Sequence, residues 1–353
     1  MNQMNKIKRP SWILQRSRSF KKLWLDKNEN THPKLLNLYS KILKIINPIH
    51  ISTYPDLGSL YQKISSFEKI PSKNIIFGHG SDGCIKNIFD AFTKEKQKVM
   101  TLLPTFAMYD IYPKINNLDH YQFNYEYSKS GPKLNLNKLF SRLNKVKPKL
   151  LCIANPNSPT GTIIKEDEIV RLIKVCSNIK CYLLIDEAYF GFYNRTSKKL
   201  ISKFNNVFVV RSLSKAWGLA GLRLGYIISS KSNIEILNKI RPMYEINTFG
   251  AEFLKLLLNK KYLKELNFIL KDMKNAKYVF LNFLRKNKFE YFPSHGNFIH
   301  FKINSLNRKK IIRDLSKLSY FREAEKHKSL KNYSRITLTS TENTKKIIKE
   351  IKK

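Results

Sequence analysis

The sequence predicts an α/β protein in which a large domain built on a mostly parallel sheet is followed by a smaller α+β C-terminal domain. Two observations carry this. From about residue 74 to about residue 230, short apolar runs alternate with amphipathic stretches, the pattern of strand–helix units that bury a parallel sheet on both faces. Beyond Ser232 the texture changes to long helical stretches followed by short strands that alternate with helices.

The apolar runs 74–78, 99–103, 150–154, 181–186, 207–211 and 224–229 read as the strands of the large domain. In the second part, 249–258 and 262–286 read as helices. Strands at 298–303 and 334–338 then alternate with helices near 308–318 and 342–351. The opening forty residues, with the polar loop 26–33, have no sheet pattern of their own. The expected division is an arm at 1–33 packed on the small domain, a large domain at 34–240 and a small domain at 241–353. In open α/β sheets, ligands sit beyond the carboxyl ends of the strands, so chemistry is sought there.

Composition narrows the function classes. With 353 residues and 42% hydrophobic content, the chain can bury a sizeable core. The formal charge of +40 is spread through every segment and carried mostly by Lys, so it reads as a compositional bias and not as a placed nucleic-acid patch. Runs such as 255–264 read as solvated helix faces. No apolar run approaches the length of a membrane span. Cys84, Cys152, Cys176 and Cys181 form no CxxC pair, and the seven histidines form no HxH or HxxxH group, so no metal site is expected. The first 25 residues are basic and lack Asp and Glu, as a transit peptide would, but the rest of the chain is equally Lys-rich. A cytoplasmic protein with reduced thiols is the expectation.

Four segments carry chemistry. Ser212-Leu213-Ser214-Lys215 directly follows an apolar strand and leads through Ala216-Trp217-Gly218 to Arg223-Leu224-Gly225. Lysine is the side chain that forms an imine with an aldehyde cofactor, and two hydroxyls with an arginine suit a phosphate. An isolated SxxK is more often a surface turn, so the other segments decide. Leu183-Leu184-Ile185-Asp186 is an apolar strand that delivers a carboxylate at its end, where it can pair with a buried cation; alone, it would read as a cap or a metal ligand. Gly78-His79-Gly80-Ser81-Asp82 follows a strand and opens a helix, whose free N–H groups face an anion. Asn155-Pro156-Asn157-Ser158-Pro159 is a rigid polar turn after the strand 150–154.

Together these segments resemble the fold-type I pyridoxal phosphate (PLP) enzymes, in the class I/II aminotransferases and within them the histidinol-phosphate aminotransferase group. The resemblance runs over nearly the whole chain. It includes residues 26–30, Tyr54-Pro55-Asp56, Pro104 to Tyr109, Asn297-Phe298-Ile299, and Arg322 and Arg335, which are spaced as that group spaces its substrate-anion arginines.

The resemblance implies that Lys215 bonds the cofactor and serves as general base, and that Asp186 pairs with the ring nitrogen. Tyr189 would bond the ring's phenolic oxygen, helped by Ser158 or Asn157, since Ser158 stands where the family usually has Asn. The backbone of Ser81 and Asp82, with Ser212, Ser214 and Arg223, would hold the cofactor phosphate, and Phe106 would stack on the ring. Tyr54 would reach the cofactor phosphate of a neighbouring subunit, which implies a homodimer with shared sites. Arg335, Arg322 and Asn30 would bind substrate. The altered segment 241–247 is expected near the substrate pocket. The implied reaction moves an amino group between an amino acid or amino-phosphate and a 2-oxo acid such as 2-oxoglutarate. Decarboxylation of a phosphorylated amino acid, as in threonine-phosphate decarboxylases, is the alternative.

Overall fold

The computed structural model describes residue 7 and residues 17–303, 307–324 and 327–352. Among these, a seven-stranded sheet runs in the spatial order Ile75–His79, Leu224–Ser229, Val207–Ser212, Tyr182–Asp186, Leu150–Ala154, Lys98–Leu103, Asp119–Asn124. Leu224–Ser229 is antiparallel to both its neighbours; all other pairings are parallel. The six apolar runs lie within a residue or two of their expected positions. Asp119–Asn124 escapes sequence reading because it is an edge strand whose aromatic residues, Tyr121 and Phe123, are only half buried.

Side chains alternate across the sheet, and the cores follow that alternation. Leu151, Ile153, Leu183, Ile185, Val207 and Val209 join one apolar cluster, whereas Leu150, Cys152, Leu184, Phe208 and Val210 join another on the opposite face. The helix Gly80–Phe92 covers the second face through Cys84, Ile85, Ile88, Phe89 and Phe92, spaced to fall on one helical stripe. Burial on both faces explains why the central strands read as continuous apolar runs.

A third cluster joins Phe280, Phe283 and Leu284 to Ile299, Phe301, Ile336 and Leu338. Its strands Tyr291–Phe292, Phe298–Phe301 and Ser334–Thr337 form a three-stranded antiparallel sheet. The 27-residue helix Lys260–Lys286, about 40 Å long, puts Tyr262, Leu266, Ile269 and Met273 into the large-sheet cluster and Phe280 and Phe283 into the third. The helix is thus a beam between the two cores.

The opening segment differs from expectation. Leu23–Trp24 pairs in parallel with Ser319–Tyr320, and Leu25 is buried in the third cluster. Two residues are too short for a period to show in sequence; the pairing exists because Leu25 is anchored. Pro33–Leu43 is a helix, capped by the His32 side chain. Of the expected arm, residues 1–6 and 8–16 lie outside the described residues.

Candidate active site

Lys215 sits on a tight turn just past the carboxyl end of Val207–Ser212. The turn is held from both sides. Leu213, Ala216 and Trp217 are buried, while Asn30 Nδ2 donates to the Ala216 carbonyl (2.9 Å) and the Tyr39 hydroxyl donates to the Trp217 carbonyl. Gly218 adopts φ +68°, and a Cβ there would lie 2.6 Å from the Tyr39 hydroxyl oxygen. The lysine amine therefore projects from a rigid mount into a cavity of about 370 Å³, and donates to the carbonyl of Lys27 at 2.8 Å.

Asp186 ends the neighbouring strand and lines the same cavity. Burial pushes its carboxyl up to about 7, against the N–H of Ala188 (2.9 Å) and the Tyr109 hydroxyl (3.4 Å), which favour the ionised form. A cation placed against this carboxylate would hold it ionised. Tyr189, three residues on, is buried and accepts from Asn28 Nδ2 at 2.7 Å.

The third element is a backbone cradle. Gly225 pairs with Gly78 on one side and Ser212 on the other. A Cβ on it would lie 2.4 Å from Gly80 C and Ser81 N, so only glycine lets these strands and the helix start meet. That helix, Gly80–Phe92, has no side-chain cap at its N-terminus, and Gly80 bends there with φ +69° against the Arg223 guanidinium. Ser212 and Ser214 lie alongside on the Lys215 turn, with Ser214 N–H donating to Ser212 Oγ. Uncapped N–H groups, two hydroxyls and a guanidinium form a donor set for a phosphate.

Opposite lie Arg322 and Arg335, both on the cavity wall. Arg335 Nη2 and Arg322 Nε donate to the same Asp26 carbonyl, at 2.9 and 3.3 Å.

Of the residues singled out from sequence, Ser81, Phe106, Ser158, Asp186, Tyr189, Lys215, Arg322 and Arg335 line this cavity together. Several others do not. Asn157 spends its amide on Pro104 O, Thr160 and Thr105, which braces the turn and leaves Ser158 to face the cavity. Asn30 braces the Lys215 turn instead of facing substrate. Asp82 accepts from the Tyr112 hydroxyl at 2.6 Å, so only its backbone is available to an anion. Ser212, Ser214 and Arg223 frame the cradle behind the cavity wall. Tyr54 is 78% exposed and stacks on Tyr244 at 4.3 Å, away from this cavity. The segment 241–247 also lies outside this subunit's cavity: Arg241 bonds Glu245, buried beside Tyr61, on the Tyr54 side of the molecule.

Sequence reading missed Asn28 and Lys27, which line the cavity. The signal for Asn28 was its place in a polar loop, where Asn tolerates the left-handed φ of +57° it adopts. It also missed a buried charge network behind the strand ends. Arg211 stands 3.1 Å from Glu187, its guanidinium lies over the Phe190 ring at 3.4 Å, and Glu68 joins through Lys198 (2.6 Å) and Tyr226. Burial raises Glu187; in Glu68 burial acts the same way but Arg211 and Lys198 outweigh it, holding the carboxyl below its ordinary value.

A lysine amine, a buried carboxylate in want of a cation and a glycine-framed phosphate cradle define an enzyme site built for an aldehyde cofactor that carries a phosphate and a basic ring nitrogen. PLP has those three features, and the residues present fit it. Comparison with known proteins agrees. Residues 21–351 match the family model for aminotransferase class I and II. A histidinol-phosphate aminotransferase of Caldanaerobacter subterraneus is 34% identical over 80% of this chain and 79% of its own. That of Clostridium novyi is 30% identical over 94% and 91%. The solved histidinol-phosphate aminotransferase of Clostridium acetobutylicum shares the fold with a TM-score of 0.78 at 22% identity, covering 94% of this chain and 98% of that one. The threonine-phosphate decarboxylase of Porphyromonas gingivalis shares it with a TM-score of 0.76 at 19% identity, over 94% and 98%. The chain belongs to the class I and II aminotransferases and is a PLP-dependent enzyme of that family.

Proposed function

We propose that this aminotransferase takes its amino group from a phosphorylated amino compound of the histidinol-phosphate type and passes it to a 2-oxo acid such as 2-oxoglutarate. The observation that carries this reading is the pair Arg322 and Arg335 on the cavity wall facing the same point, because two guanidinium groups suit an anion of high charge. The names of the relatives support it.

When bound, PLP supplies an aldehyde that condenses with amines and a ring that accepts electrons from the breaking Cα bond. Lys215 would hold the cofactor through its amine and, with that amine free, would take up and return the proton of the donor's Cα. Asp186 would hold the proton on the ring nitrogen, Tyr189 would donate to the ring oxygen, and Phe106 would cover the ring. The backbone of Ser81 and Asp82, with Ser212, Ser214 and Arg223, would hold the phosphate. Arg322 and Arg335 orient the substrate anion. With the donor's carboxylate on these arginines, Cα–H would be the bond left for Lys215, and amino transfer would follow. With a distal phosphate on them instead, the carboxylate would be left free to depart, and decarboxylation would follow.

The same reading extends to assembly. Tyr54 is exposed beside the exposed apolar residues Ile49, Ile51 and Met243, which supports a homodimer in which Tyr54 reaches the partner's cofactor phosphate. Among the described residues no helix is long and apolar enough to cross a membrane. We place the enzyme in the cytoplasm, with small-molecule partners and no nucleic acid. The three-part division 1–33, 34–240 and 241–353 is kept as a working one, with the change of core falling inside the Lys260–Lys286 helix.

Donor assays test the reading: the holoenzyme is given histidinol phosphate, glutamate, aromatic amino acids or threonine phosphate singly, and keto product and carbon dioxide are measured. Keto product from histidinol phosphate, restored to turnover by 2-oxoglutarate, is expected. Carbon dioxide from threonine phosphate without keto product would replace this reading with the decarboxylase one.

A further inference from the structure

A tyrosine hydroxyl can both donate and accept, so the contact between Tyr189 and a ring oxygen depends on which way its proton points. The ring of Tyr189 is fixed by burial and by edge contact with Phe298 at 5.6 Å. What orients its proton is Asn28, a buried residue in left-handed conformation whose polar groups are all engaged. Its N–H donates to Thr337 Oγ1 (3.2 Å), its Oδ1 faces the same hydroxyl (3.1 Å), its Nδ2 meets the Tyr189 oxygen (2.7 Å), and its carbonyl accepts from Asn297 (3.3 Å).

These contacts have one consistent direction. Thr337 is fully buried and, of the contacts its hydroxyl makes, Asn28 Oδ1 is the acceptor, so the oxygen that takes the Asn28 N–H gives its single proton to Oδ1. That sets the amide: Nδ2, which can only donate, faces Tyr189. The Tyr189 oxygen must then accept, and its own proton turns into the cavity that it shares with Asp186 and Lys215. Thr337 is two residues beyond Arg335 on the strand Ser334–Thr337, hence on the same face, so the relay begins on the strand that carries the anion-facing arginine.

We infer that Asn28 is a positioning residue that makes Tyr189 an obligate hydrogen-bond donor toward the cofactor ring, with Thr337 setting the orientation of the Asn28 amide. This rests on the reading of Tyr189 as the partner of the ring oxygen. A donated proton draws charge from that oxygen and weakens its hold on the proton of the lysine-bound cofactor, so the relay lowers the pH at which the bound cofactor titrates.

The test is an absorbance–pH titration of the holoenzyme in Tyr189→Phe, Asn28→Gly, Thr337→Val and Thr337→Ser variants. Glycine at 28 keeps the left-handed backbone, and valine at 337 keeps the side-chain shape. Tyr189→Phe should raise the midpoint by about one pH unit. Asn28→Gly and Thr337→Val should raise it by about half as much, since a released hydroxyl still donates part of the time. Thr337→Ser should restore the parent midpoint, and Asn28→Gly should add nothing to Tyr189→Phe. If Tyr189→Phe leaves the midpoint in place, the reading of Tyr189 fails and the relay with it. A shift in Tyr189→Phe but none in Asn28→Gly and Thr337→Val, or shifts that add in the double variant, overturn the relay alone.

Discussion

Arg322 and Arg335 stand opposite each other across an isolated antiparallel bridge, exchanging both backbone hydrogen bonds at 3.0 and 2.8 Å. Residues paired in this way present their side chains on the same face. Both guanidinium groups accordingly reach the Asp26 carbonyl, and both line the cavity that holds Lys215. Thirteen positions apart in sequence, they act in space as one doubly charged wall.

Replacing the fork but keeping the charge separates geometry from electrostatics. Arg335→Lys should lower kcat/KM for the anionic donor by about tenfold to a hundredfold, mostly through KM, because lysine cannot make the paired contact. Arg322→Lys should cost less, since Arg322 is exposed whereas Arg335 is buried. Steady-state kinetics with the preferred donor check both.

Lys215→Ala should remove turnover by about three orders of magnitude or more, while PLP still binds noncovalently through the cradle around Gly225. Equilibrium dialysis with PLP and a single-turnover assay give the two readouts. Turnover near the parent rate would sink the mechanism.

The Asp186 carboxyl is raised from 3.8 to about 7 by burial. In the cofactor-free protein the folded state therefore binds a proton over a range where the unfolded state has released it. Stability from this group is full below about pH 4 and is lost as pH rises through about 7. Asp186→Asn should remove that loss, so the variant gains on the parent between pH 5 and 7.5 by about 1–3 kcal/mol, read from urea unfolding of the two cofactor-free proteins. Adding PLP should narrow the gap, because a cation beside Asp186 stabilises the ionised form.

Arg211→Met should destabilise by about 3–5 kcal/mol, because Glu187 is left buried without its cation while Glu68 keeps Lys198. The guanidinium also loses its seat over Phe190. Chemical denaturation of the cofactor-free variant at neutral pH measures the cost, and PLP affinity should fall with it, since Arg211 adjoins Ser212 and Glu187 adjoins Asp186.

If Tyr54 serves the partner's site, Tyr54→Ala and Lys215→Ala subunits should rescue each other. Refolding an equal mixture of the two should recover about a quarter of the parent activity, as half the dimers are mixed and each mixed dimer has one intact site. Activity equal to the mean of the two parents would place Tyr54 in its own subunit's site or in none.

Six strands of the large sheet were legible because burial on both faces turns a parallel strand into a continuous apolar run. Asp119–Asn124 was not, since an edge strand with a polar, half-buried pattern has little contrast with a loop. Leu23–Trp24 was not, since its pairing comes from a neighbour almost three hundred residues away. Lys215, Asp186 and the Gly80–Ser81 turn were legible for a related reason: each follows directly on an apolar strand, so local pattern alone places them at the sheet's active edge.

The sequence by itself determined the fold class and, through its resemblance to a known family, the cofactor, because apolar strand runs and the short motifs that follow them are local features of the chain. The tertiary structure decided which neighbours serve that chemistry and which only brace it. Asn30 turns to the Ala216 carbonyl, Asn157 to Pro104, and Asn28 to Tyr189. An asparagine's role is set by which donors and acceptors surround its amide, and in this fold those lie on strands and turns far along the chain.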